Sequence, residues 1–278
     1  MCSIRKSAIA GSWYPGSHLI LRATIRDFLE EVPDESPGGT VIGLVVPHAG
    51  YAYSGQIAAY AYKPLRGQHF AAVVVVGPSH RAAFQGVSLF SEGGFETPLG
   101  VVPVDGKLAE RIIAASPLIA ARPSAHLHEH SIEIQLPFLQ YVLGNFSFVP
   151  VLMGNQDRRT CEVLAAAILE AVGNKRLLVV GSSDLSHFHN YDQALLLDGR
   201  TLASMENNDA AGFLKGIETG EFEACGGGPA AVAMMVAQGR GAVQAKLLRY
   251  ANSGDVTGDR QSVVGYGALA FMAGRQLG

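Results

Sequence analysis

Four consecutive valines at positions 73–76 run into Gly77, Pro78 and Ser79, and then into a histidine, His80. A short β-branched run bounded by turn residues is a strand buried on both faces. Such a strand cannot hide an unpaired imidazole at low cost. His80 is therefore expected just past the strand's carboxyl end, where open α/β sheets form their sites. The same pattern occurs twice more, as G-L-V-V-P-H at 43–48 and as L-L-V-V-G-S-S-D-L-S-H at 177–187. Three valine-rich strands that each end in small residues and a histidine predict imidazoles converging on one edge of one sheet.

A chain of 278 residues can bury roughly 75% of its unfolded surface. With 48% hydrophobic and only 16% charged residues, it suits a packed body rather than disorder. The net charge is −3 and lysines and arginines form no run, which argues against nucleic acid or an anionic membrane as partner. Cys2, Cys161 and Cys225 are widely spaced, so they make neither a disulfide framework nor a C-x-x-C zinc pattern, and a reducing cytosol fits. The N-terminal stretch lacks the apolar core of a signal peptide, and no apolar run reaches a membrane span. A soluble cytoplasmic protein is the expectation.

Along the chain, residues 17–32 read as an amphipathic helix with Ser17 as its cap. Residues 40–46 and 71–76 read as parallel strands joined by a short helix over 57–62. Residues 87–90 and 100–104 read as a hairpin on the sheet edge. The spacing over 126–139 predicts a helix that carries Glu129 and Glu133 on one face. Further helices are expected at 106–115, 160–172, 194–206, 209–219 and 230–237, and strands at 147–153, 177–180, 244–250 and 262–273. Residues 252–259 read as a tight loop. The whole is expected to be one domain over residues 1–278, α/β, with a mixed, mostly parallel central sheet flanked by helices.

His48 and His80 at neighbouring strand ends, joined by one carboxylate, would make a facial set of metal ligands with open positions. Asp184 and His187 offer a base whose tautomer a carboxylate fixes. The plainer reading is that Ser182, Ser183 and Asp184 cap a helix beginning near Leu185. Glu129, His130 and Glu133 form the next polar cluster. Its plainer reading is a solvated helix start, where acids suit the dipole. Cys225, beside three glycines, is either a reactive thiol or a buried packing residue. Trp13 reads as a core plug rather than a ligand contact. No G-x-S-x-G elbow, Walker loop or G-x-G-x-x-G follows any strand.

The segments A-G-S-W-Y-P at 10–15, P-H-A-G-Y at 47–51, G-P-S-H at 77–80, E-H-S-I-E at 129–133, L-P-F at 136–138, S-S-D-L-S-H at 182–187, C-G at 225–226 and Y-A-N-S-G-D at 250–255 together resemble the Memo family, called AmmeMemoRadiSam system protein B in bacteria and archaea. That family is similar to class III extradiol dioxygenases, non-haem iron enzymes. The resemblance implies a dioxygenase-like α/β core, His48 and His80 as metal ligands, and His187 as base with Asp184 beside it. It also implies a metal-linked cysteine after the Y-A motif. Counting places that position at Val256, which cannot bind metal, so Asp255, or else Glu129 or Glu133, would complete the set. The metal implied is divalent: Fe(II), with copper or zinc as alternatives. Two functions follow. One is dioxygenase-like redox chemistry on a small molecule. The other is a non-catalytic pocket for a peptide, anion or partner protein, with Tyr51, Tyr53, Trp13, Glu129, His130, Glu133 and Cys225 as recognition residues. AMMECR-type and radical-SAM proteins are the partners that the family name implies.

Overall fold

The computed structural model describes residues 4–34 and 38–274; Cys2 lies outside the described residues. The described residues form twelve strands: β1 (Ile4–Arg5), β2 (Thr40–Val46), β3 (Ala72–Pro78), β4 (Val87–Leu89), β5 (Gly94–Thr97), β6 (Gly100–Pro103), β7 (Ile119–Ala121), β8 (Val149–Met153), β9 (Leu177–Ser182), β10 (His187–His189), β11 (Ala242–Asn252) and β12 (Val263–Ala273). Their helices are α1 (His18–Glu31), α2 (Tyr51–Tyr62), α3 (Gly106–Ala114), α4 (Pro123–His126), α5 (Leu136–Leu143), α6 (Arg158–Val172), α7 (Tyr191–Glu206), α8 (Ala210–Thr219), α9 (Gly227–Gly239) and α10 (Ser253–Thr257).

Nine strands make one mixed sheet in the order β10-β12-β2-β9-β3-β8-β4-β7, with β11 paired to β12. Its centre, β2-β9-β3-β8, is parallel, and antiparallel pairings flank it through β12 and β4. The valine runs behave as their composition demands. Val45, Val74, Val76 and Val179 enter the core on one face with α3, α6 and α9, while Leu44, Val73, Val75 and Val180 enter the core on the other face with α1, α2 and α5. Helix α1 shows why the flanking helices stay. Leu21, Ile25 and Leu29 recur every four residues and are fully buried, each worth roughly 1.5–3 kcal/mol before entropy.

Four local expectations are corrected. Residues 126–139 are not one helix: α4 ends at His126, a single 3-10 turn spans Glu133–Gln135, and α5 begins at Leu136. The Glu129 carboxylate accepts from its own neighbours' amides, His130 N and Ser131 N, which diverts the backbone from helix. Glu129 and Glu133 consequently share no face. Gly100–Pro103 pairs with Gly94–Thr97, and this hairpin joins β1 in a separate three-stranded sheet, while Val87–Leu89 stays in the large one. No helix starts near Leu185; the chain there passes into β10. Residues 252–259 hold the short α10, closed by a capping box between Asn252 and Asp255.

The topology builds the site. Because β9 lies between β2 and β3, the carboxyl ends of the three histidine-bearing segments are side by side. No helix among the described residues is long and apolar enough to cross a membrane.

Candidate metal centre

His48 follows β2, His80 follows β3 and Asp184 follows β9. Cys225 comes from the segment just before α9. Glycine is what lets it in. A Cβ at Gly226 would collide with the Ser182 carbonyl at the end of β9, so only glycine allows the α9 start to approach this closely. A Cβ at Gly228 would instead crowd Gln156, whose Oε1 accepts from Gly228 N at 2.8 Å. Cys225 N then donates to Asp184 O at 3.2 Å, and Cys225 Sγ lies 3.1 Å from His48 Nε2.

One ligand atom from each of His48, His80 and Cys225 falls within a 4.8 Å cluster, and a second such cluster contains His80, Glu129 and His130. Hydrogen bonding separates the two. Ser182 Oγ has one proton and donates it to Ser131 O at 2.6 Å. It must therefore accept from Gln135 Nε2 at 2.8 Å and from His48 Nδ1 at 3.1 Å. His48 thus carries its proton on Nδ1 and turns a bare Nε2 lone pair toward Cys225. Gln135 is itself held, accepting from the Tyr62 hydroxyl and donating to Pro47 O.

His80 is fixed in the same way. Its Nδ1 donates to Glu129 Oε1 at 3.1 Å, and its backbone N donates to Glu129 Oε2 at 2.6 Å. Burial pushes the Glu129 carboxyl upward, but these bonds and the Ser131 amide outweigh it and hold the group well below the usual carboxylate range. Glu129 is therefore an ionised, fully engaged acceptor behind His80. A carboxylate behind an imidazole orients the ring and raises the basicity of its outer nitrogen. Glu129 fits that supporting position better than a ligand position.

The chemistry of the donors completes the fit. Burial lowers the His48 imidazole to about 3, so it is neutral and ready to ligate at pH 7. Burial raises the Cys225 thiol above its ordinary value. Without metal, the thiol donates to His48 Nε2; a bound cation would displace that proton. Two imidazoles and a thiolate suit iron, copper or zinc.

The cluster opens into a cleft of about 560 Å³ lined by Trp13, Tyr53, Arg81, His130, Asp184 and His187, among others. His187 Nδ1 donates to Leu185 O at 2.8 Å, which leaves its Nε2 as the free lone pair. Asp184 Oδ1 accepts from His48 N at 2.7 Å, and Oδ2 lies 4.0 Å from His48 Nε2. Burial raises the Asp184 carboxyl to about 6. His130 stacks on His80, with ring centroids 4.7 Å apart, and meets Trp13 at a tilt, with centroids 4.3 Å apart.

The structure thus brings together His48, His80, Asp184, His187, Glu129, His130 and Cys225. It does not bring in three other expected residues. Asp255 is exposed; its carboxylate accepts from Tyr191 Oη at 2.6 Å and Asn252 N at 2.9 Å, and it joins neither ligand cluster. Its neighbour Val256 is 55% exposed on α10, and the thiol that lies beside His48 is that of Cys225. Glu133 is fully buried and accepts from Arg5, Tyr14 and the amides of Ala8 and Ile9. It ties down the N-terminal segment that carries Trp13. Tyr51 is buried and donates to Ile134 O at 2.9 Å; Tyr53 lines the cleft in its place. Sequence reasoning missed Ser182 as an acceptor and Gln135 altogether, because their partners are distant in the chain.

Fold and site together define an α/β protein with a cluster of side chains able to ligate a metal at the carboxyl ends of central parallel strands. Residues 5–270 match the family described as Memo-like protein. A MEMO1 family protein of Methanobrevibacter smithii is 41% identical, covering 96% of this chain and 99% of its own length. One from Thermoplasma volcanium is 38% identical over 99% of this chain and all of its own length. The chain belongs to the Memo family.

Proposed function

We propose that His48 Nε2, His80 Nε2 and Cys225 Sγ hold one transition-metal ion, and that His187 and Asp184 manage protons on a small molecule bound in the adjoining cleft. The observation that carries this reading is the pinned pair of tautomers. Ser182 and Glu129 each take an Nδ1 proton, so both Nε2 lone pairs are left free to ligate, that of His48 beside the thiol. A protein using these histidines only as packing would have no need of two independent devices for the same end. A bound iron or copper ion would supply redox or dioxygen chemistry, and zinc would supply Lewis acidity. The chain's own residues do the rest: Tyr53 and Trp13 wall the cleft, and His187 presents a free ring nitrogen to whatever enters.

The test is anaerobic loading with Fe(II), Cu(I) or Zn(II), followed by elemental analysis of wild type, His80→Ala and Cys225→Ser. The expected result is about one ion per chain in wild type and a clear loss in both variants. Co(II) should give a thiolate charge-transfer band that Cys225→Ser abolishes. Equal metal content in all three proteins, or none in any, overturns the reading.

A further inference from the structure

We infer that Glu223 is a positioning residue that holds His187 with its Nε2 turned into the cleft; this rests on the role just proposed for His187. The strand β10 that carries His187 is only three residues long and breaks register against β12 between His187 and His189. Its middle residue, Phe188, has φ +64°, a left-handed conformation that is costly for a bulky side chain. Phe188 is 76% exposed and its ring meets the neighbouring His187 ring edge-on, with centroids 5.6 Å apart, so core packing does not compensate. Something else must impose this conformation.

Glu223 grips β10 at both ends. Its Oε1 accepts from His187 N at 3.0 Å, and its Oε2 accepts from His189 Nε2 at 2.8 Å. The preceding amide, Ser186 N, donates to Asp198 Oδ1 at 2.9 Å, while Asp198 Oδ2 accepts from Tyr250 Oη at 2.7 Å. Two successive amides of one turn therefore end on two different carboxylates. Charge-assisted bonds of this kind are about twice as strong as neutral ones. With the backbone so fixed, His187 Nδ1 meets Leu185 O and its proton cannot move to the cleft-facing nitrogen. Asp198 is buried and belongs to the scaffold. Glu223 lies two residues before Cys225, so one loop carries both the thiol and the grip on His187.

Glu223→Ala should release that grip. The measurement is the long-range 1H–15N pattern of the His187 ring at neutral pH, assigned with His187→Gln, on metal-loaded protein. Wild type is expected to show the Nδ1–H tautomer. Glu223→Ala should show a mixture shifted to Nε2–H, and Glu223→Gln, which keeps an oxygen acceptor, should restore the wild-type pattern. Glu223→Met, which fills the space but accepts nothing, repeats the test if the alanine variant does not fold. A merely structural role would lower the melting temperature and leave the ring pattern alone. An unchanged Nδ1–H pattern in Glu223→Ala or Glu223→Met overturns the inference. Metal content, measured on the same samples, reports separately on the metal reading: its absence in wild type would sink that reading without altering the tautomer result.

Discussion

Glu129 and Glu133 stand four residues apart in one short motif, and both are buried and ionised, yet they do different work. Glu129 receives an imidazole N–H and three amides at the cleft. Glu133 receives a guanidinium, a phenol, a serine hydroxyl and two amides at the N-terminal segment. For each, burial opposes ionisation and its donors reverse the balance. The difference teaches that a buried carboxylate takes its role from its donors. An imidazole makes it an organiser of a site, and a guanidinium makes it a staple of the fold.

The largest effect expected from breaking this pair is on the staple. Glu133→Ala leaves the Arg5 guanidinium buried without its counter-charge, a loss of about 3–5 kcal/mol. Chemical denaturation checks it, and metal affinity of the folded fraction should be unchanged. Glu129→Gln should do the reverse: metal affinity falls by about 10–100-fold with a smaller loss of stability, read by competition with a chelator. If Glu129→Gln binds metal like wild type, the distinction between the two acids is lost.

Proton linkage sharpens the comparison. Because the Cys225 thiol is raised and must ionise to ligate, metal binding should release one proton. Affinity should fall about tenfold for each pH unit lost, measurable by calorimetry in buffers of different ionisation enthalpy. Stability carries its own pH signature. Burial lowers His126, which lies away from the metal ligands, to about 3. Between its ordinary 6.5 and about 3, the unfolded chain binds the proton and the native one does not. This contribution to stability is therefore complete above pH 6.5 and drains as pH falls toward 3. Replacing His126 with asparagine should flatten the acid limb of a stability profile. The smallest effect belongs to Asp255→Ala. It removes half of a capping box at a cost of about 0.5–2 kcal/mol, and metal content should not change.

These contrasts show where the sequence was legible. The valine runs announced β2, β3 and β9 because composition, length and turn residues all agree locally. The histidines at their ends followed from the cost of burying an imidazole. The supporting acceptors did not follow. Ser182 is 134 residues from His48, and Cys225 is 177 residues from it; no periodicity encodes such pairings. The region 126–139 misled because its apolar spacing is helical, while Glu129 spends its carboxylate on the backbone that a helix would need. Helix α2 starts earlier than its apolar pattern suggested. Gly50 and Gly55 weaken the local signal, and Gly55 is there to admit the Phe28 ring.

The strand order has a consequence for synthesis. A chain growing from its N-terminus has made His48 and His80 long before β9, the strand that separates them, and the thiol is made later still. Closing loops of this length comes late in folding, so metal uptake should report the completed sheet rather than any early fragment. On the proposed reading, a truncated chain ending at residue 176 would carry both histidines and hold no ion, so that ion binding would seal finished folding.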